Sequence, residues 1–244
     1  MAEITTTFIG SGDAFGSGGR LQTCILVDTP DLRFTVDFGT TSLAGLRQQQ
    51  IDLNSINAVF LTHLHGDHCG GLPFLLLDAM LGARRTAPLT IVGPASVEHH
   101  IAQLQSVLFP GSEIMQPSFQ LKYVTLTPDQ EYELAGLKLR TIAARHTKQT
   151  NPLAMRMEIG DKSIVFTGDG ELTPDLIQLV ENADLLIAEC YFYSKAVKWH
   201  LNYPDIAALS SARQIVLTHM HTDMLANTER VKEICAYDGY QITI

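Results

Sequence analysis

Residues 61–68, "LTHLHGDH", place three imidazoles and a carboxylate directly after the apolar run Ala58-Val59-Phe60. An apolar run of that kind, bounded by polar residues, reads as a buried strand. His63 and His65 stand two apart, so on an extended segment their side chains point the same way. Gly66 then lets the chain turn and bring Asp67 and His68 round. The run offers two imidazoles to one metal ion, and a carboxylate with a third imidazole to a neighbouring ion. Such donors suit zinc, with iron or manganese as alternatives. Nearly the same letters return at residues 217–224, "LTHMHTDM", again after an apolar run, Gln214-Ile215-Val216. The fold must therefore explain whether these are two sites or one.

A chain of 244 residues with 45% apolar and 18% charged residues reads as one ordinary globular domain over residues 1–244. No apolar stretch approaches the roughly 20 residues that span a bilayer, and the longest, "GGLPFLLLDAMLGA", is interrupted by Asp78. The start "MAEITTTF" lacks the basic and apolar regions of a secretory signal, so a cytoplasmic location with no membrane association is expected. Cys24, Cys69, Cys190 and Cys235 form no CxxC pair and are expected to be free and buried. The net charge of −9 weakens sequence-independent nucleic-acid binding, and Arg84-Arg85 reads as the end of a helix. Gly10, Gly12 and Gly16 give GxGxxxG running into a strand. Dinucleotide binding needs a helix N-terminus there, so a loop at a site rim is the better reading.

Along the chain, "EITTTFIG", "LQTCILVD", "LRFTVDFG" and "NAVFLT" read as strands, and "TSLAGLRQQ", "LPFLLLDAMLG" and "SVEHHIAQLQSVLF" as helices. His99 and His100 sit off the apolar stripe of the last and are expected in solvent. The middle is strand-rich, from "FQLKYVTL" to "SIVFTG". Then "PDLIQLVENA", "YPDIAALSSA" and "NTERVKEICAY" read as helices alternating with the strands "DLLIAEC", "QIVLT" and "YQITI". Sheets inside and helices outside, in two similar halves, is the α/β arrangement this order suggests.

The run Thr62-His63-Leu64-His65-Gly66-Asp67-His68 resembles the signature of the metallo-β-lactamase superfamily, and later motifs arrive in that family's order over nearly the whole chain. "AARHT" matches a third ligand of the first metal, His146. "FTGDG" matches the bridging carboxylate, Asp169, and "VLTHM" the last ligand of the second metal, His219. The resemblance implies a four-layer αββα sandwich of two pseudo-symmetric halves, in which the two LTHxH copies end corresponding strands and serve one cleft. It implies two divalent ions, zinc first and manganese or iron as alternatives. The metal ligands would be His63, His65, Asp67, His68, His146, Asp169 and His219. His221 is the alternative to His219, and otherwise it and Asp223 lie outside the ligand set.

"AECYFYSKAVKWHLNYPDIAAL" is similar to the segment of the tRNA 3′-processing endonucleases (ribonuclease Z) and related phosphodiesterases that carries a glutamate and a later histidine. Here these are Glu189 and His200, a pair suited to protonating a leaving oxygen. With Asp67 they form the expected catalytic set. The histidine that precedes the family's glutamate is absent, since Ala188 stands there. Between His146 and Asp169 only a short strand pair fits, leaving no room for a tRNA-gripping arm. The expectation is a dinuclear phosphodiesterase that uses a metal-bound hydroxide on a small-molecule or nucleotide-like diester. The alternatives are a lactone or thioester hydrolase, an RNA 3′-end endonuclease, and a non-catalytic metal-binding module. Tyr191, Phe192, Tyr193 and Trp199 could line a pocket or a dimer contact. A homodimer is compatible with the apolar, lightly charged composition and rests mainly on the resemblance.

Overall fold

The computed structural model describes residues 3–244; Met1 and Ala2, the start of the N-terminal segment read above, lie outside the described residues. The first sheet takes β1 (Thr5–Gly10), β2 (Cys24–Asp28), β3 (Arg33–Val36), β4 (Ala58–Phe60), β5 (Leu89–Gly93) and β6 (Leu121–Thr125). The second takes β7 (Glu131–Leu134), β8 (Leu137–Ala143), β9 (Leu153–Ile159), β10 (Lys162–Phe166), β11 (Leu185–Glu189), β12 (Gln214–Thr218) and β13 (Ile234–Cys235). The last strand, β14 (Gln241–Thr243), returns to the first sheet beside β1.

Strand alternation builds the layers. On β2, Ile25 and Val27 enter one apolar cluster while Cys24 and Leu26 enter another. The first cluster also takes Phe34 and Phe60 from one sheet and Leu139, Met155, Met157, Ile164 and Ile187 from the other, so it is the seam between the sheets. The outer face of the first sheet packs on α1 (Ser42–Gln48), α3 (Leu72–Leu77) and α4 (Val97–Leu108). The outer face of the second packs on α5 (Pro174–Val180), α6 (Tyr203–Ile206) and α7 (Thr222–Leu225). A short helix, α2 (Gly66–Cys69), follows β4. The result is the αββα sandwich. Among the described residues no helix is long and apolar enough to cross a membrane.

The sheets run β14-β1-β2-β3-β4-β5-β6 and, from its β7 edge, β7-β8-β9-β10-β11-β12-β13. Each has three antiparallel pairings followed by three parallel ones. In that correspondence β3 matches β10, β4 matches β11 and β5 matches β12. The two LTHxH copies follow β4 and β12, so they end strands that do not correspond. Likeness of letters there is not likeness of place: the true counterpart of β12 is β5, which ends at Gly93.

Several local expectations change. "NTERVKEICAY" is not a helix but a 3-10 turn at Thr228–Arg230 followed by β13, whose pairing with β12 overrides the helical spacing. "YPDIAALSSA" gives only α6 and a 3-10 turn at Ala207–Leu209. Arg85 is buried beyond the helix end, donating to the carbonyls of Leu53, Ile56, Ala87 and Pro88. The glycine-rich loop is tied down: Asp13 accepts from Ser17 N and Oγ, and Asp238 accepts from Ser11 and Leu21. His99 is exposed but His100 is half-buried. All four cysteines are free; Cys24, Cys69 and Cys190 are buried and Cys235 is half-buried.

Candidate metal centre

The ends of β4, β8, β10, β11 and β12 meet at one edge of the sandwich. His63 and His65 lie just past β4, and His65 stands at the N-cap of α2, which carries Asp67 and His68. His146 follows β8, Asp169 follows β10, Glu189 ends β11 and His219 follows β12. Two loops must touch for this. A Cβ on Gly39 would lie 2.3 Å from the Asp67 carbonyl oxygen, and one on Gly168 would lie 2.8 Å from that of Leu153. Gly168 also has φ +57°, which glycine adopts without strain. Asp37 (φ +61°) and His219 (φ +54°) take the same left-handed region without that freedom. Asp37 N donates to Phe60 O at 2.7 Å and His219 N to Ser11 O at 3.0 Å, which holds them there.

The nitrogens fall into two groups. His65 Nδ1 is 3.1 Å from both His63 Nε2 and His146 Nε2. In the second group, Asp67 Oδ2 is 3.3 Å from both His68 Nε2 and His219 Nε2, which are themselves 3.4 Å apart. Asp169 reaches His68 and His219 at 3.5 Å and His63 at 3.9 Å, so it touches both groups. Donors arranged tetrahedrally at the usual zinc–nitrogen length of about 2.0–2.1 Å are separated by about 3.3–3.4 Å. The observed spacings match that edge, and the donor chemistry fits a divalent ion.

Hydrogen bonding sets which nitrogens are available. His68 Nδ1 donates to Asp37 Oδ2 at 2.7 Å, leaving Nε2 for the centre. Thr62 Oγ donates to the same carboxylate at 2.8 Å and accepts from His63 Nδ1 at 3.1 Å, which frees His63 Nε2. His146 Nδ1 donates to Trp199 O at 2.8 Å, so its Nε2 carries the lone pair. One buried carboxylate, Asp37, thereby orients an imidazole in each group. Sequence reading did not single out Asp37, although "TVDFGT" repeats the signal of "FTGDG": an acid just past a strand, followed closely by glycine.

Burial lowers the basicity of His63 well below its ordinary value, with neighbouring His68 adding to it; burial also lowers His65 and His146. For Asp67 and Asp169 burial acts upward but is outweighed by the histidines, chiefly His68 and His219 respectively, which hold both far into the ionised range. Burial works against protonating His68 and His219, yet the carboxylates, Asp169 first, raise both, His219 to about 9. Positive charge is therefore favoured between these carboxylates, whether a proton or a metal cation supplies it. Nδ1 of His219 is buried without a hydrogen-bond partner, its nearest acid being Glu189 Oε2 at 3.8 Å.

Beside the two groups, Glu189 Oε2 accepts from His200 Nδ1 at 2.7 Å. Its other oxygen accepts from Gly170 N at 2.6 Å and Leu201 N at 3.2 Å. Tyr191 stacks on the His200 ring, centroids 4.4 Å apart and planes 21° from parallel. The Tyr191 backbone is pinned by Tyr191 N→Leu201 O and His221 N→Tyr191 O. His221 lies outside the metal-ligand groupings; its Nδ1 accepts from Asp223 N and its ring packs on Phe192. Asp223 in turn accepts from Tyr193 N at 2.9 Å.

A model of the family described as Anti-Pycsar protein Apyc1 matches residues 4–236. The chain belongs to that family. Ribonuclease Z of Parabacteroides distasonis is 33% identical over 112 residues, 46% of this chain but 36% of that protein, so the match spans about a third of that relative's length. Ribonuclease BN of Proteus mirabilis is 26% identical over 269 aligned positions, covering 88% of each chain. In fold, the metallo-beta-lactamase fold protein YhfI from Bacillus subtilis superposes with a TM-score of 0.81 at 22% identity, over 100% of both chains. This Apyc1-family chain thus has the metallo-β-lactamase fold, with ribonucleases Z and BN among its relatives and donor groups that could hold metal ions.

Proposed function

We propose that the chain is a phosphodiesterase with a dinuclear centre, acting as a single domain on a small or cyclic diester. The observation that carries this reading is the Glu189–His200 pair, with His200 Nδ1 only 3.9 Å from Asp169. His63, His65 and His146 would hold one divalent ion and Asp67, His68 and His219 the other, with Asp169 shared. The donors suit zinc, with manganese or iron as alternatives. When bound, the ions supply an activated water and offset the charge that builds on phosphoryl oxygens.

The chain's own groups do the rest. Asp67, ionised among its histidines, accepts a hydrogen bond from the attacking water. Once the water has given a proton to solvent, its oxygen bonds to phosphorus as the old P–O bond breaks, and His200 gives its Nε2 proton to the leaving oxygen. Glu189 holds Nδ1–H, so the proton donated is the one facing the cleft. Burial disfavours a charged His200, but Glu189 and then Asp169 raise its pKa, which keeps the proton on the ring. Burial and the neighbouring Asp169 raise the Glu189 pKa against the pull of His200. Tyr191 fixes the plane of the imidazole by stacking on it. A thioester, whose thiolate leaves without protonation, would have little use for this acid.

RNA 3′ ends are a second reading, favoured by the names of the ribonuclease Z and BN relatives. The net charge of −9 works against it. The test is hydrolysis of bis(p-nitrophenyl) phosphate by zinc- and manganese-loaded protein beside a lactone, a thioester and a 3′-extended RNA, with Asp169→Ala as control. Diester turnover that disappears in the variant is expected. Turnover of the lactone or thioester alone would overturn the phosphodiesterase reading, and RNA cleavage without small-diester turnover would establish the second.

A further inference from the structure

Past β10, three consecutive residues each take hold of a different part of the centre. Asp169 faces both donor groups, Gly170 N donates to Glu189 Oε1 at 2.6 Å, and Glu171 Oε1 accepts from Trp199 N at 2.9 Å. The third contact has no part in the chemistry described above. Glu171 lies outside the donor groupings that could hold an ion, so this half-buried carboxylate beside the centre has another task.

We infer that Glu171 is a positioning residue: by holding Trp199 in a left-handed turn, it aims the His146 imidazole at its donor group and sets the acid His200 beside it. This rests on the phosphodiesterase reading. The main chain after His146 is fixed elsewhere, since Leu153 N donates to Thr62 O at 2.9 Å and Leu64 N to Thr150 O at 3.2 Å. Those bonds leave the ring free to turn. What turns it is its own Nδ1–H, which donates to Trp199 O at 2.8 Å. That carbonyl belongs to a segment that runs through solvent, with Ser194, Lys195, Ala196 and Lys198 exposed. Trp199 has φ +71°, where Cβ crowds the backbone of any residue but glycine. Its side chain is 51% exposed, so core packing does not impose that conformation. The two bonds flanking its Cα do, one from its N–H to Glu171 and one from His146 to its carbonyl.

Glu171 is itself firmly placed. It pairs with Arg145 as an antiparallel bridge, and Glu171 N donates to Arg145 O at 3.0 Å. Beside it Gly170 packs so closely that a Cβ there would lie 3.2 Å from Ala144 Cβ and 3.3 Å from Arg145 N. Arg145 Nη1 stands 3.6 Å from Glu171 Oε2, mostly in solvent, where an ion pair adds little. The hydrogen bond from a backbone N–H to the carboxylate is the stronger contact. These links close a ring of four residues, His146, Arg145, Glu171 and Trp199. The ring joins a proposed metal ligand to the residue just before the proposed acid. The imidazoles of His146 and His200 meet edge to face with centroids 5.2 Å apart. A Trp199 released from the left-handed region would swing its carbonyl off His146 and carry His200 away with it.

The test separates reach from charge, in the full chain loaded with zinc. Glu171→Gln keeps an acceptor oxygen at the same reach without the charge. Glu171→Asp keeps the charge but is one methylene too short for Trp199 N. Glu171→Asp should weaken zinc binding about tenfold in competition with a chelator, as the loss of an outer partner does. The Nδ1–H proton of His146, followed by NMR and assigned by its absence from His146→Gln, should exchange faster with water. In the same variant kcat for diesters with poor leaving groups should fall by about 10- to 100-fold, with KM little changed and p-nitrophenyl esters slowed less. Glu171→Gln should restore all three. The reverse order, with the Asp variant intact and the Gln variant impaired, would make charge the cause and overturn the positioning role. So would an Asp variant that matches wild type in zinc affinity and in the His146 signal. Equal slowing of good and poor leaving groups would overturn the link to His200. If wild type cleaves no diester while the Asp variant still loses zinc and the His146 signal, the phosphodiesterase reading falls and Glu171 stands as the anchor of His146.

Discussion

Strands β3, β4 and β5 of the first sheet stand where β10, β11 and β12 stand in the second, yet their ends carry unlike groups. After β3 comes Asp37, and after β10 comes Asp169. Both are buried acids, and His68 lies between them, at 2.7 Å from one and 3.5 Å from the other. Their work differs: Asp37 bonds the outer nitrogen of His68 and, through Thr62, His63, while Asp169 faces the inner nitrogens of both groups. After β4 comes the dense run from His63 to His68; β11 ends instead in Glu189 and its partner His200. One half supplies most of the imidazoles and fixes their tautomers. The other supplies the shared carboxylate and the proposed acid. Neither set could perform the chemistry alone.

The comparison can be broken first at the two matching aspartates. Asp169→Ala should lose activity by more than roughly the 100-fold that an outer partner costs, and metal analysis should find fewer ions bound. Wild-type turnover with two ions would remove Asp169 from the centre. His200→Ala should keep its ions and slow diesters with poor leaving groups by about 10²- to 10⁴-fold, while p-nitrophenyl esters slow much less. Equal slowing of both would argue against His200 as the acid. Asp37→Asn should weaken metal affinity by roughly 10- to 100-fold, read by competition with a chelator, and an unchanged affinity would mean that the carboxylate does not hold the imidazoles. The smallest effect belongs to Tyr191. Losing a stacked ring costs about 0.5–1.5 kcal/mol, so Tyr191→Ala should slow poor-leaving-group diesters about two- to tenfold, and Tyr191→Phe should restore the rate. A defect in Tyr191→Phe as large as in Tyr191→Ala would assign the role to the hydroxyl instead.

The layered α/β fold was legible because strand runs such as "DLLIAEC" and "QIVLT" are short, apolar and well punctuated, and the centre was legible at residues 63–68 because its donors are adjacent in the chain. Asp37 escaped notice although "TVDFGT" carries the signal of "FTGDG", because its role shows only once folding brings it within 2.7 Å of His68, 31 positions along the chain. The two LTHxH copies misled about symmetry for a related reason. Short motifs report what a loop must do, whereas correspondence between halves is written in the pairing of whole strands. Residues 227–237 misled because Val231 and Ile234 have helical spacing, and only the exposed edge of β12 makes a strand the better outcome.

The bonds Leu153 N→Thr62 O and Leu64 N→Thr150 O sew the second sheet onto the loop that leaves the first. Donors from both sheets meet at this suture, so a cation captured there clasps the two halves and binds the docked state in preference to the separated one. By linkage, each tenfold rise in free metal above its dissociation constant then adds about 1.4 kcal/mol to folding for each ion bound. The melting temperature of the chain becomes a gauge of the metal around it, and a chelator acts as a denaturant aimed at one seam.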